Sequence, residues 1–330
     1  MNRFISRGLL AFLFLSIASQ SLLAEEVRHT RLSIEKDRWL INGQSAYPGA
    51  KADGLLLNVR MVNSTFEDLN RRDFDPDKNT EAFLPRIPDY YASGVRAFTL
   101  NLQGGMPGYE GALNSAFNPD GSLRDEYLHR VKRVIEACDR QGIAVILGLF
   151  YQRQDQILKN DDAVRKGVVN AVRWIEKEGF TNVAVEIANE YGHDGFDRSI
   201  IKSPAGEVEL IQLAKQTAPR LFVSTSGLGD GLTNEKIAEA ADFILLHFNG
   251  APVEKIPDCI SLWKKYSKPI VCNEDDKTGE EAAKAAEISV LHGCSYGLML
   301  KEINQYQPFQ FQGTKDDPAA YEKFRKLSTP

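Results

Sequence analysis

The chain is poor in the features that would place it outside ordinary globular proteins. It has four cysteines in 330 residues, Cys138, Cys259, Cys272 and Cys294, with no C-x-x-C pair among them. That excludes a disulfide scaffold and a cysteine-based zinc site. Cys138 and Cys272 lie in strongly apolar patterns, so free, buried thiols are expected. No basic run interleaved with aromatics occurs, and 40 Lys plus Arg against 45 Asp plus Glu give a net charge of −5. A nucleic-acid partner is therefore excluded, because gripping phosphates requires clustered positive charge. Twenty-five glycines and 14 prolines are too few for a collagen-like or low-complexity chain.

Long apolar runs are missing as well, apart from one at the start. Arg3 and Arg7 precede the run from Gly8 to Ala18, and small residues follow from Ser19 to Ala24. This is the pattern of a cleaved secretory signal over residues 1–24, and the run is too short to span a bilayer. No cysteine follows it to carry a lipid. A secreted or periplasmic mature chain is expected, with 38 basic and 45 acidic residues, a charge of −7, and no membrane span.

What the chain does have is a repeated alternation. Residues 31–35 and 39–42 flank Lys36-Asp37 and lead into Asn42-Gly43, the signature of a β-hairpin; an N-terminal cap over residues 25–50 is expected. Eight short apolar runs follow, at residues 54–60, 95–101, 144–150, 183–188, 221–225, 243–248, 270–273 and 296–301. Between them lie helical patterns. Tyr127, Leu128, Val131, Val134, Ile135 and Cys138 fall on one face, stopped by Gly142. Val164, Val168, Val172 and Ile175 form a second stripe, ended by Gly179. Thr278 and Glu281 read as a capping box opening residues 280–291. Further helices are expected over residues 81–91, 207–217, 235–241, 253–266 and 319–327. Strand then helix, eight times, predicts an α/β protein with a (β/α)8 TIM barrel over residues 51–330 behind the hairpin. An open nucleotide-binding sheet is disfavoured, since no strand is followed by G-x-G-x-x-G or G-x-x-x-x-G-K-[ST]. The glycine-rich stretch from Gly104 to Gly108 instead opens a long loop to about Leu123, read as a rim element over the barrel mouth.

Barrel chemistry sits at the C-terminal ends of the strands. Two strands here end in a carboxylate: the fourth, Val183-Ala-Val-Glu-Ile-Ala-Asn-Glu190, and the seventh, Lys268-Pro-Ile-Val-Cys-Asn-Glu274. A charge after a buried run is costly to desolvate and rarely serves packing alone. Two carboxyls across a barrel mouth suit glycoside hydrolysis, in which one protonates the leaving oxygen and the other attacks the anomeric carbon or activates water. At these residues the chain resembles the retaining glycoside hydrolases of clan A, the group of cellulases, mannanases and β-galactosidases. The resemblance covers residues 45–330 in element order. It implies Glu190 as acid/base, Glu274 as nucleophile, Asn189 as a ligand of the sugar 2-hydroxyl, a β-linked carbohydrate as substrate, and no metal or organic cofactor.

His247, ending the sixth strand, is expected to orient the nucleophile or touch sugar. Arg60, Asn101, Gln103 and Tyr151, at the ends of strands one to three, are candidates to hold sugar hydroxyls or steady a carboxylate. Glu186 shares parity with Glu190 and is expected below the site, paired with Arg60 or Lys301. Asp275 and Asp276 are expected at the rim, bonded to loop amides. The chain departs from the clan at strand eight, where a tryptophan platform is common. Trp39, Trp174 and Trp263 all read as packing residues, leaving Tyr306 or Phe309 as substitutes.

Two other readings compete. One is a non-catalytic carbohydrate-binding barrel. The other is a metal-dependent isomerase or lyase using Glu190, His247, Glu274 and Asp275 as ligands. The usual metal and serine motifs are absent: His29, His129, His193, His247 and His292 form no H-x-H, and the Ser224 region lacks G-x-S-x-G.

Overall fold

The computed structural model describes residues 28–330 apart from Arg72, so the secretory leader read from residues 1–24 lies outside the described residues. β1 (Leu32–Glu35) and β2 (Arg38–Ile41) form the hairpin, with Ile34 opposite Trp39. β3 (Gln44–Ser45) pairs with β2 across Asn42 and Gly43, whose positive φ angles of 55° and 76° make the tight turn. Trp39 is fully buried, with ring centroids 5.9 Å from Phe222 and 5.2 Å from Phe243, both edge-on. The Leu32 amide bonds to the Thr181 carbonyl at 2.8 Å. These partners all lie at the starts of barrel strands, so the hairpin seals the N-terminal end, opposite the mouth.

The barrel strands are β4 (Asn58–Arg60), β5 (Ala97–Asn101), β6 (Ala144–Phe150), β7 (Val183–Ala188), β8 (Phe222–Ser224), β9 (Ile244–His247) and β10 (Ile270–Glu274), with the eighth stave split into β11 (Cys294–Ser295) and β12 (Gly297–Leu298). Six run parallel in the order β12-β4-β5-β6-β7-β8, and β11-β10-β9 form a second parallel group. Parallel bridges between Ser226 and Leu245, and between Asp275 and Leu298, join the two groups into a closed barrel. Every residue of β5, β6 and β7 is buried, as it must be where one face fills the barrel and the other meets helices.

The outer layer is α1 (Pro76–Phe83), α2 (Ile87–Ala92), α3 (Asp125–Gln141), α4 (Asp161–Lys177), α5 (Ser199–Lys202), α6 (Pro204–Thr217), α7 (Glu235–Ala240), α8 (Ile256–Ser261), α9 (Gly279–Leu291) and α10 (Pro318–Ser328). The stripe of α3 is buried and Gly142 ends the helix with φ 81°. Two expected helices are broken. Pro85 and Pro88 have no amide proton to continue a ladder, so residues 81–91 divide into α1, a 3₁₀ turn and α2. Residues 253–266 likewise reduce to α8 between two 3₁₀ turns. Thr278 occupies the N-cap of α9 without a capping hydrogen bond; Asp317 Oδ2 instead accepts from the Gly279 amide at 2.7 Å. All four cysteines are free, and Cys259 is only half-buried. Among the described residues no helix is long and apolar enough to cross a membrane.

The glycine-rich loop doubles back on itself through bridges from Gln103 to Ser115 and from Phe117 to Leu123. Gly104, at φ 115°, lies flat on Tyr151; a Cβ there would come within 2.3 Å of that ring. The loop can sit down over the end of β6 only because this residue has no side chain.

Candidate active site

Glu274 is the last residue of β10 and Glu190 lies two residues past β7. Nearest oxygens of the two carboxyls are within 4.8 Å of one another. Backbone irregularities aim both. Cys272 pairs with Leu246 but Glu274 with His247, so a bulge at Asn273 places two residues of β10 against one of β9. The alternation is thereby reset, and Asn273 and Glu274 both reach groups inside the barrel. Glu190 has a φ of 54°, uncommon for a residue with a side chain. Ser226 holds this turn, its hydroxyl accepting from the Glu190 amide at 2.9 Å and its carbonyl from the Tyr191 amide at 3.0 Å.

A closed circuit of polar contacts joins the carboxyls. Arg60 places Nε 3.0 Å from Glu274 Oε2 and donates from Nη2 to Asn189 Oδ1 at 2.7 Å. Asn189 Nδ2 donates to Gln152 Oε1 at 3.2 Å, and Gln152 Nε2 donates to Glu190 Oε2 at 3.1 Å. Guanidinium can only donate, so Arg60 fixes the orientation of both amides down the line. His247 completes the circuit, with Nδ1 3.4 Å from Glu190 Oε1 and 3.8 Å from Glu274 Oε2. Asn249 Nδ2 donates to Glu274 Oε1 at 2.6 Å. The carboxyl side chains reach solvent, 13% exposed at Glu190 and 6% at Glu274, while Arg60 and His247 have no exposure at all. A guanidinium and an imidazole thus lie under a pair of acids that a ligand can touch.

Burial alone would push the Glu274 carboxyl upward; Arg60, then His247, Asn249 and Lys301 outweigh it and hold the group below the ordinary glutamate value. His247 is the mirror case. Burial would lower it, but Glu274, Glu190 and Glu186 raise it above an ordinary histidine. Burial raises Glu186 despite His247 and Arg60.

Several expectations need correction. Glu186 lies below the site, but its contacts are Asn273 Nδ2 at 3.0 Å and His247 Nε2 at 3.9 Å, with no ion pair to Arg60 or Lys301. Asn101 is shut inside the barrel over Gly148, where a Cβ would meet its Oδ1 at 2.3 Å. Gln103 spends its amide on the rim loop, donating to Ser115 Oγ and to the Gln154 carbonyl. Neither faces the mouth. Asn189 is fully buried with both amide ends engaged. Tyr151 is buried under Gly104, its ring 5.8 Å from the Arg60 guanidinium carbon. Asp275 is not a rim group: it bonds Lys277 Nζ at 2.9 Å and the Tyr296 hydroxyl at 3.0 Å. Phe309 packs against Phe66 and Phe74 in edge contacts, leaving Tyr306 as the half-buried aromatic past strand eight. Gln152 and Asn249 were not singled out from the sequence. Their signal was position, one residue beyond Tyr151 and two beyond His247 at strand ends.

Among the described residues, Glu190, His247 and Glu274 are the group whose atoms converge enough to hold a metal. They fit one poorly, because Arg60 already neutralises Glu274 at 3.0 Å and would oppose a second cation there. The assembly is a (β/α)8 barrel with two closely spaced carboxyls at its mouth. Solved structures share that fold: a broad-specificity endoglucanase of glycoside hydrolase family 5 from Clostridium longisporum has a TM-score of 0.60 at 10% identity, over 86% of this chain and 99% of that one. A β-1,4-mannanase from the sea hare Aplysia kurodai gives 0.60 at 14% identity, over 90% and 96%. A provisionally assigned glycoside hydrolase from Bacteroides vulgatus gives 0.65 at 14% identity; this chain spans 60% of its length. No family model matches the sequence, and no curated sequence does.

Proposed function

We propose that the protein is a retaining glycoside hydrolase acting on β-linked carbohydrate. The observation that carries this is the carboxyl spacing, within 4.8 Å between nearest oxygens. Retaining enzymes hold their two carboxyls about 5 to 5.5 Å apart, whereas inverting enzymes leave about 6.5 to 9.5 Å for a water. Glu274, kept ionised by Arg60, attacks the anomeric carbon, while Glu190 gives its proton to the departing glycosidic oxygen. The resulting glycosyl ester on Glu274 is then opened by water. Glu190, now a carboxylate, takes the water proton as the oxygen bonds to the anomeric carbon and Glu274 leaves. His247 and Gln152 keep Glu190 in place through both steps.

A β-linked substrate is supported by the endoglucanase and mannanase among the structural neighbours. Export is supported by the sequence of residues 1–24 alone. The test is to follow an aryl β-glycoside or a β-glucan by proton NMR as it is cleaved. The β-anomer appearing first is the expected result; the α-anomer appearing first would overturn the mechanism.

A further inference from the structure

We propose, building on the glycosidase reading, that Lys301 selects an acidic glycan, one whose sugar beside Glu274 carries a carboxylate or sulfate group. Position comes first. Gly297 and Leu298 of β12 lie opposite Asn58 and Val59 of β4, and the Met299 amide bonds to the Asp275 carbonyl at 2.8 Å. Gly297 therefore shares its face with Asn58, in the barrel interior, and Lys301 follows four residues later, past the end of β12. Lys301 begins the π-helical turn Lys301–Gln305 at the mouth, one strand away from Glu274. Its charge is felt there, being one of those that depress the Glu274 carboxyl.

What sets Lys301 apart is that, among the described residues, its ammonium has no direct partner. It is half-buried, yet among the described residues it makes no hydrogen bond and has no carboxylate within 4.0 Å. The neighbouring Lys277 shows the contrast, bonded to Asp275 and to the Phe248 carbonyl at 2.7 Å. Arg60, inside the barrel, is committed to Glu274 and Asn189. No tryptophan stands there: Trp39 is sealed beneath the barrel, Trp174 packs on Phe180 and Trp263 on Tyr266, while Tyr306 is a half-buried ring past strand eight. A neutral pyranose is gripped by stacking on its C–H face, a charged one by an opposing charge. The mouth offers the second kind of grip at the sugar attacked by Glu274.

The test compares matched aryl β-glycosides, a neutral hexoside, the corresponding hexuronide and an O-sulfated hexoside, on the wild type, Lys301→Gln and Arg153→Gln. Arg153 serves as the control because it also lies at the mouth, exposed, with its guanidinium 4.5 Å over Tyr109. One charge-assisted contact predicts that Lys301→Gln loses roughly 10- to 100-fold in kcat/KM on an acidic substrate and little on the neutral one. The hexuronide and the sulfated hexoside distinguish the two sources of charge. Equal losses on all three substrates, a wild type that prefers the neutral hexoside, or a loss confined to Arg153→Gln would each overturn the proposal. Calorimetric titration of the Glu274→Gln protein with free hexuronic acid and with neutral hexose reads recognition without turnover. Preference for the acid, abolished by adding Lys301→Gln, is expected; equal binding would overturn the selectivity while leaving the hydrolase reading standing.

Discussion

Glu207, in the first turn of α6, has no exposure, and neither carboxyl oxygen makes a hydrogen bond of normal geometry. Burial pushes it up from 4.5 to about 8, the Thr225 hydroxyl opposing the rise and Glu186 adding to it. An unfolded chain releases this proton above about 4.5, while the folded chain keeps it until about 8. Folding stability is therefore undiminished by Glu207 below 4.5, falls as pH rises through that window, and levels off above 8. At about 1.4 kcal/mol per pH unit, the full penalty is about 5 kcal/mol. Replacing Glu207 with glutamine keeps the shape and removes the proton. Urea unfolding of both proteins from pH 4.5 to 8.5 measures the difference. The account requires the variant's advantage over the wild type to grow with pH by several kcal/mol. A difference that stays flat across the range refutes it, because a packing effect has no reason to follow proton release.

Glu274→Ala should reduce turnover by more than about 10⁴-fold with the thermal transition preserved, since it removes the attacking oxygen; the check is steady-state kinetics beside circular dichroism. Glu190→Ala should slow alkyl glycosides by about 10²- to 10⁴-fold and dinitrophenyl glycosides far less, as only poor leaving groups need a proton. Equal slowing of both would remove Glu190 from that role. Asn249→Ala withdraws a hydrogen bond that holds the Glu274 carboxyl down, so the acidic limb of the kcat/KM profile should move to higher pH; an unmoved limb would mean that Asn249 does not tune Glu274. Exhaustive dialysis against a chelator should leave activity intact, because Arg60 takes the place a metal would need. Loss of activity restored by one divalent ion would favour the metal-dependent reading.

Much of the barrel was legible because its strands are buried on both faces and its long helices carry clear apolar stripes, as in α3 and α4. Proline blurred the rest, dividing the helical patterns around Pro85, Pro88 and Pro257. The two carboxylates were legible as charges placed after apolar runs. What aims them was not: a bulge at Asn273 and the left-handed turn at Glu190 depend on hydrogen bonding with β9 and with Ser226, far away in sequence. Residue type likewise did not separate the strand-end groups that face the mouth from those that build it. Gln103 and Gln152 are both glutamines just past strand ends, yet one anchors the rim loop and the other holds Glu190. Only the partners, set by three-dimensional closure of the barrel, decide which is which.

The covalent step is the most direct point of attack. A 2-deoxy-2-fluoro β-glycoside with a dinitrophenyl leaving group should inactivate the enzyme with one sugar per chain, and peptide mass spectrometry should find that sugar esterified to Glu274. Attachment to another carboxylate, or hydrolysis of ordinary substrates with no adduct from any such reagent, would contradict the account.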